Sequence, residues 1–360
     1  MHIWTAEPTQ ATWRQLRYLK SAHNVQNLLE LKSSSGREAA WEPDRAKFAA
    51  REIAACIRQA DEYFHASKRV GLATRPLQLF YCAQTLAKAA ILASDKGSSL
   101  ASLKYHGLNT RPKTANGQES LLLQQYSENS TNWEIEKEFA ISHDGVFRQL
   151  CRVCDDVDAG QGTIIRFQDV IRVIPDMSEI YFRHYLEPSH CLYLYKGPST
   201  GEQDECLFPP QENLTENDRF SVIFNGMSHG EITAVFPEFK SSVFIADSLH
   251  DDYFGFASDT ISELSFAKVV SGTVAGRYLV RPHESGLHKS MPILFAGMFI
   301  LSNVVRYKPA FWSDVIEGRS TGGVSIVESF CDMFEQRFAN DTVELIWNEQ
   351  FSYGTPAILG

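Results

Sequence analysis

An arginine and a histidine seven residues apart, Arg58 and His65, are the side chains best placed to do chemistry together. In a helix this spacing puts both on one stripe, on the side away from the apolar residues. Histidine can exchange a proton near neutral pH, and arginine can stabilise negative charge that develops on a reacting group. The alternative is an ordinary solvated helix face with local ion pairs. The intervening Asp61 and Glu62 favour that interpretation, because charged helix faces are common.

A second group of basic residues, predicted as binding residues, comprises Lys104, His106, Arg111 and Arg306. The glycine after His106 predicts a helix C-cap or a tight turn, where a cationic histidine would interact well with the helix end. The alternative is a loop in which His106, together with Lys104, Arg111 and Lys113, contacts a phosphate or a base. Arg75 and Arg306 are expected to be buried partners of a carboxylate or of helix carbonyls.

No metal or cofactor site is predicted from the remaining polar motifs. Cys151 and Cys154 form a single CxxC pair inside a helical stretch, whereas a structural zinc site needs four ligands. A group of acids and one histidine at residues 247–252 has the composition of a hairpin turn. The stretch 318–323 lacks the Gly-Lys-Ser/Thr ending of a P-loop, so it predicts a flexible connection and a helix cap.

The composition is that of an acidic globular protein of 360 residues, with a formal net charge of −10 and 44% hydrophobic residues. A net negative charge disfavours broad coating of nucleic acid, although a local basic groove remains compatible with it. Seven scattered cysteines and a polar beginning of the chain predict free thiols in a reducing cytoplasm. The apolar run 291–305 is shorter than a bilayer-spanning helix, so no membrane contact is expected.

The periodicity of the apolar residues changes twice along the chain. Residues 1–186 are predicted to form an N-terminal helical bundle, residues 187–286 a β-rich, antiparallel insert, and residues 287–360 C-terminal helices that pack back on the bundle. The last assignment follows because the segment near Leu294 is apolar on every side and must be covered. The expected fold class is therefore α+β, mostly α.

An ordered set of short motifs resembles the YaaC-like protein family. These motifs lie at residues 55–65, 75–81, 85–89, 106–108, 174–177, 299–302 and 306–312. Their order and spacing carry the resemblance, which spans most of the chain. The family implies little chemistry, because its members are largely uncharacterised.

A more distant resemblance, over about residues 45–110, is to the HEPN helical bundles. Those include metal-independent ribonucleases of toxin–antitoxin and phage-defence systems, and also many non-catalytic members. The nucleases use an arginine and a histidine a few residues apart on one helix. The resemblance therefore implies that His65 could move a proton from a ribose 2′-hydroxyl while Arg58 stabilises the phosphorane.

These observations lead to competing hypotheses for the function. The first is a non-enzymatic interaction or regulatory subunit of a bacterial assembly, one that serves anti-phage defence by analogy, with a protein partner or a second copy of the chain. The alternative is a metal-independent ribonuclease that acts on RNA through Arg58 and His65. A third is a small-ligand sensor whose β-rich insert forms a pocket.

Overall fold

A computed structural model describes residues 2–5, 7–34, 41–110, 134–155, 157–196, 220–223, 234–237, 244–246, 253–256, 268–271, 277–319 and 323–354. The chain separates into two compact units, Met1–Val170 with Ser285–Gly360, and Ile171–Glu284. Helices dominate the described elements, which confirms the predicted α+β, mostly α class. The division into residues 1–186, 187–286 and 287–360 and the HEPN-like character of the bundle stay predictions.

The helices of the larger unit come from both ends of the chain. The N-terminal ones are α1 (Pro8–Tyr18), α2 (Ala22–Ser34), α3 (Pro43–Ser67), α4 (Arg75–Ser94) and α5 (Val146–Asp155), followed by α6 (Phe167–Arg172), which crosses into the smaller unit. The smaller unit adds α7 (Ser178–Tyr185). The C-terminal helices of the larger unit are α8 (Ser290–Tyr307), α9 (Pro309–Ile316) and α10 (Gly323–Trp347).

The strands form three sheets. In the larger unit β1 (His2–Trp4) pairs in parallel with β11 (Ser352–Gly354), and β2 (Leu108–Asn109), β3 (Phe139–Ser142) and β4 (Ile164–Arg166) form an antiparallel sheet. In the smaller unit the six-stranded sheet has the order β7-β8-β6-β5-β10-β9. Its strands are β5 (Cys191–Lys196), β6 (Phe220–Ile223), β7 (Phe244–Ala246), β8 (Tyr253–Phe256), β9 (Lys268–Ser271) and β10 (Arg277–Val280). Every pairing in it is antiparallel, as predicted.

The core of the larger unit forms around α4, which packs against α3, α5, α8 and α10. The sequence of α3 predicts this arrangement, because its helical stripe of apolar residues is buried throughout: Ala46, Ala50, Ile53, Ile57, Ala60 and Phe64. Helix α4 is apolar on nearly every side, which suits a central position. The contacts of α8 and α10 with α4 show that the C-terminal helices return to the N-terminal bundle, as expected.

Helix α8 is the single helix of the described residues that is long and apolar enough to cross a membrane. However, 78% of its apolar window is buried inside the protein, as in the core helix of a globular fold. Gly297 allows this close packing, because a Cβ at that position would lie 2.6 Å from Phe330 Cζ on α10 and 2.8 Å from Val170 Cγ1. The small residue thus brings α8 against α10.

Several local expectations need correction. The apolar spacing of residues 12–31 predicts one helix, but the chain breaks between α1 and α2. The sequence predicts Asp44 as a cap of α3, but the N-cap is Glu42, whose carboxylate accepts a hydrogen bond from the Arg45 amide, and Asp44 lies in the first turn. Alternation over residues 231–236 predicts a strand, but residues 234–235 form a helical turn. These differences are local, because the few residues at the end of a helix or strand define its boundary less strongly than apolar periodicity defines the element as a whole.

Glu344, in the last turn of α10, makes the stability of the protein pH-dependent. Burial, and then the charge of Asp341, raise the pKa of Glu344 from 4.5 to about 7. The folded state therefore binds this proton more tightly than the unfolded state. The stabilisation from the protonated carboxyl is complete below the unfolded pKa of 4.5 and is lost as the pH rises towards 7.

We expect the Glu344→Gln variant to be more stable than the wild type at pH 8, by on the order of 2 kcal/mol, with little difference at pH 4.5. Glutamine keeps the Oε1 acceptor for the Phe351 amide without the charge. Urea unfolding at several pH values measures this difference. Glu179→Gln, which changes a carboxylate that is 70% exposed, is the control and should show no such pH-dependent gain. The prediction would be contradicted if the unfolding free energies of wild type and Glu344→Gln changed with pH in the same way.

Candidate functional site

Arg58 and His65 both lie on the exposed side of α3, as the seven-residue spacing predicts. Arg58 Nη1 donates a hydrogen bond of 2.5 Å to the carbonyl of Lys20, just beyond the end of α1. Cations are favourable at helix C-termini, where carbonyls lack partners within the helix. Arg58 therefore ties α3 to the end of α1.

Asp61 is the buried centre of this face, with 6% of its surface exposed. Its carboxylate accepts hydrogen bonds from Arg17 Nε at 3.0 Å and from Lys20 Nζ at 2.5 Å. Burial by itself would raise the pKa of Asp61, but the hydrogen bonds and charges of Lys20 and Arg17 lower it below its ordinary value. The carboxylate is thus ionised and outnumbered by cations. We call Arg17, Lys20, Arg58, Asp61 and His65 the Asp61 cluster.

Both ring nitrogens of His65 contact other members of the Asp61 cluster. Nδ1 lies 2.6 Å from the backbone carbonyl oxygen of Asp61, and because a carbonyl only accepts, Nδ1 must be the donor. In the neutral ring Nε2 is then the acceptor, and it faces Arg17 Nη2 at 3.4 Å. The side chain is 49% exposed. His65 could act as a base through Nε2 only if a substrate displaced Arg17.

The sequence did not predict Arg17 and Lys20 as members of this cluster. The fold brings them to the exposed face of α3 from α1 and from the turn that follows it. Their own segment offers no signal for this, because nothing in the pattern of α1 predicts which helix it will contact. The negative charge of Asp61 would by itself repel an anion, but these two cations offset it.

His106 lies in a loop that is held by the beginning of α5. The carbonyls of Tyr105 and His106 accept hydrogen bonds from the amides of Val146 and Phe147, which satisfies two donors of the first turn of α5. His106 is therefore not at the C-terminus of a helix, since α4 ends at Ser94. The expectation of a C-cap is wrong. The chain bends at Gly107, which has a φ of +79°, and β2 begins at the next residue.

The ring of His106 is fixed by aromatic neighbours. Its centroid lies 5.0 Å from that of Phe299 and 6.2 Å from that of Phe80. Burial, and then the charge of Arg306, lower the pKa of His106 below its ordinary value of 6.5, so the ring is mostly neutral at pH 7. Nδ1 accepts a hydrogen bond from the Leu108 amide at 3.2 Å, which leaves Nε2–H as the donor.

Arg306 reaches the same aromatic group from the end of α8. Its Nε donates to the carbonyl of Ser302, as expected for a cation in a last helical turn. The guanidinium carbon lies 6.0 Å from the ring centroid of Phe80 and 5.2 Å from that of Tyr307. The structure thus places His106 and Arg306 against one aromatic group, although they are distant in sequence.

Two exposed tyrosines flank this pair in the sequence. Tyr105 is 75% exposed and Tyr307 is 69% exposed. We call Tyr105, His106, Arg306 and Tyr307 the tyrosine face. Lys104 is exposed beside it in sequence, whereas Arg111 and Lys113 lie outside the described residues.

Within the described residues no group of three or more histidine, cysteine, aspartate or glutamate side chains could hold a metal ion. Cys151 and Cys154, on α5, do not form a disulfide with each other, and Cys151 is buried. The acidic stretch 247–252 lies outside the described residues.

The sequence profile of the YaaC-like protein family matches residues 17–346, nearly the whole chain. The chain belongs to the YaaC-like family. The match includes both the Asp61 cluster and the tyrosine face, so both are built on the part of the chain that defines the family. No curated protein and no solved structure matches the chain. The function of this YaaC-like protein must therefore be argued from its own residues.

Proposed function

We propose that this YaaC-like protein is a non-enzymatic interaction or regulatory subunit of a bacterial assembly, and that it works in the reducing cytoplasm. The observation that carries the proposal is the tyrosine face, where two strongly exposed tyrosines flank an immobilised His106–Arg306 pair. The partner is a protein or a second copy of the chain. A role in anti-phage defence extends the proposal by analogy alone.

The composition of the tyrosine face favours protein recognition. Tyrosine and arginine are enriched at the energetic centres of protein interfaces, because each combines a large apolar surface with a polar end. His106 packs at a tilt against Phe299, and the Arg306 guanidinium lies over the ring of Phe80, so both side chains are restricted before binding. Side chains that are already ordered lose less conformational entropy on association.

Substitution of both exposed tyrosines should weaken binding of the partner. For the Tyr105→Ala/Tyr307→Ala variant we expect an affinity at least about tenfold weaker, because truncation of a central tyrosine typically costs about 2 kcal/mol or more. Sedimentation over a range of concentrations measures self-association, and cross-linked affinity capture from the source cells measures binding of other proteins.

Leu31→Ala, which removes an exposed apolar side chain from α2, is the matched control and should bind as the wild type does. Circular dichroism checks that both variants fold. A wild type that neither self-associates nor retains any protein would count strongly against an interaction role. If the double variant bound the partner as tightly as the wild type does, the tyrosine face would be excluded as the binding surface.

A second candidate function, a metal-independent ribonuclease, is supported by the Asp61 cluster. Arg17 Nη2 lies 3.4 Å from Nε2 of the proposed base His65, and Arg58 is on the same exposed stripe of α3. The charge of Asp61 is offset by Arg17 and Lys20. This candidate predicts cleavage of RNA in EDTA that disappears in His65→Ala and persists in His23→Ala, the substitution of an exposed histidine on α2. Cleavage that survives His65→Ala, or no cleavage of any RNA, would exclude it.

A further inference from the structure

The smaller unit contains a cavity of about 520 Å³ that is open to solvent. Its described lining combines three basic side chains, one acid and several small or apolar residues: Arg172, His190, Arg281, Glu187, Pro188, Ala234, Val235 and Pro237. A volume of this size accommodates a small metabolite and exceeds that of a single inorganic ion.

Backbone hydrogen bonds bring the three basic residues of the cavity into one row. The His190 amide donates to the carbonyl of Arg172 at 2.8 Å, and the Arg281 amide donates to the carbonyl of His190 at 2.9 Å. The three side chains come from the end of α6, from the residue before β5 and from the residue after β10. Their proximity is therefore a property of the folded backbone and does not depend on flexible surface side chains.

Aromatic rings and one carbonyl orient the two guanidinium groups. The Arg172 guanidinium lies 5.9 Å from the ring centroid of Tyr181, and that of Arg281 lies 5.8 Å from the ring centroid of Phe236. Arg281 Nη1 also donates to the carbonyl of Val235. Contacts of this kind hold a guanidinium in place without neutralising its charge.

The one acid of the described lining pairs only weakly with Arg172. The Glu187 carboxylate lies 3.8 Å from Arg172 Nη2 and is 57% exposed, so this ion pair is weak and easily displaced. Arg172 Nε and His190 Nδ1 are buried atoms without a hydrogen-bond partner among the described residues. Burial, and then the charges of Arg172, Arg281 and His283, lower the pKa of His190 to about 4.

We propose that this cavity binds the phosphate group of a small phosphorylated molecule of about nucleotide size. Two guanidiniums and an imidazole line the same cavity, and their several N–H groups suit the three terminal oxygens of a phosphate monoester better than the two of a carboxylate. The rest of the cavity, lined by proline, alanine and valine, receives the remainder of the molecule. The site is independent of the tyrosine face, and neither proposal requires the other.

Calorimetric titration of the full chain with AMP, adenosine and inorganic phosphate tests the proposal. We expect AMP to bind at least about tenfold more tightly than adenosine, because charge-assisted hydrogen bonds to the phosphate supply the difference. Arg172→Gln and Arg281→Gln should each weaken AMP binding by about tenfold or more. Arg183→Gln, which removes the same charge from an exposed site of α7, should leave the affinity unchanged.

Absence of binding of both AMP and inorganic phosphate to the wild type would overturn the proposal. Equal AMP affinities in the wild type and in Arg172→Gln would also overturn it, since the phosphate would then bind elsewhere. Arg281 has a structural hydrogen bond to Val235, so Arg172→Gln decides the result if Arg281→Gln does not fold. Circular dichroism of each variant establishes that it is folded before the titration.

Discussion

The Glu335→Gln variant is expected to lose about 3 kcal/mol of unfolding free energy, because it removes the charge at the centre of a buried ion-pair group. Glu335, on α10, is 3% exposed at its side chain and pairs with Lys68 and with both Nε and Nη2 of Arg75, at 3.1 and 2.8 Å. Arg75 begins α4, where the helix dipole is unfavourable for a cation. Without the Glu335 charge, a largely buried arginine is left poorly compensated.

Urea unfolding at neutral pH measures this loss. Asp332→Asn is the matched control, because Asp332 also pairs with Arg75 but is 68% exposed at its side chain. We expect that substitution to cost less than about 1 kcal/mol, since exposed ion pairs contribute little. Equal effects of the two substitutions would show that the burial of Glu335 does not determine its contribution.

The Gly145→Ala variant is expected to lose about 4 kcal/mol or to fail to fold. Gly145 has a φ of +144°, which an L side chain rarely adopts, and a Cβ there would lie 2.5 Å from the carbonyl oxygen of Tyr105 and 2.8 Å from the amide nitrogen of Gly107. Backbone strain and overpacking each cost about 1–3 kcal/mol, and rigid backbone atoms cannot move aside. This close approach of the Gly145 backbone to the loop of residues 105–107 also positions Tyr105 and His106.

Gly71→Ala is the control for this substitution, because an added Cβ meets nothing within 4 Å at Gly71. It should change the unfolding free energy by less than about 1 kcal/mol. Urea unfolding gives the stabilities, and the NMR signals of the His106 ring report whether the loop keeps its position in a folded Gly145→Ala protein. A Gly145→Ala protein as stable as Gly71→Ala would contradict the close crossing of the two backbone segments.

The two candidate sites differ in how far the sequence could predict them. The seven-residue spacing of Arg58 and His65 correctly predicts one exposed stripe of α3, because the geometry of a helix determines which of its residues are neighbours. Arg17 and Lys20 could not be predicted as members of the same cluster. They belong to α1 and to the turn that follows it, and contacts between separate segments depend on packing of the whole core.

For the tyrosine face, the sequence correctly predicts that Arg306 bonds a carbonyl at the end of its helix. Of the two alternatives that it leaves open at His106, a helix C-cap and a tight turn, the C-cap is wrong, because the glycine that follows is not specific to helix ends. The loop actually serves the N-terminus of α5, which follows more than thirty residues later. A pattern of neighbouring residues does not contain that information.

By itself, the sequence determined the family, the mostly helical class, the buried stripes of α3 and α4, the return of α8 and α10 to the bundle, and the antiparallel character of the smaller unit's sheet. The family follows from the resemblance of an ordered set of short motifs, and the antiparallel pairing follows from short connections between strands. The helix faces follow from periodicity, since contacts three and four residues apart define them. Only the tertiary structure decided that Glu335 pairs with Arg75, that Asp61 is covered by cations from α1, and that Arg172, His190 and Arg281 line one cavity. Those arrangements depend on which surfaces meet, and the free energy of many packed side chains together selects that outcome.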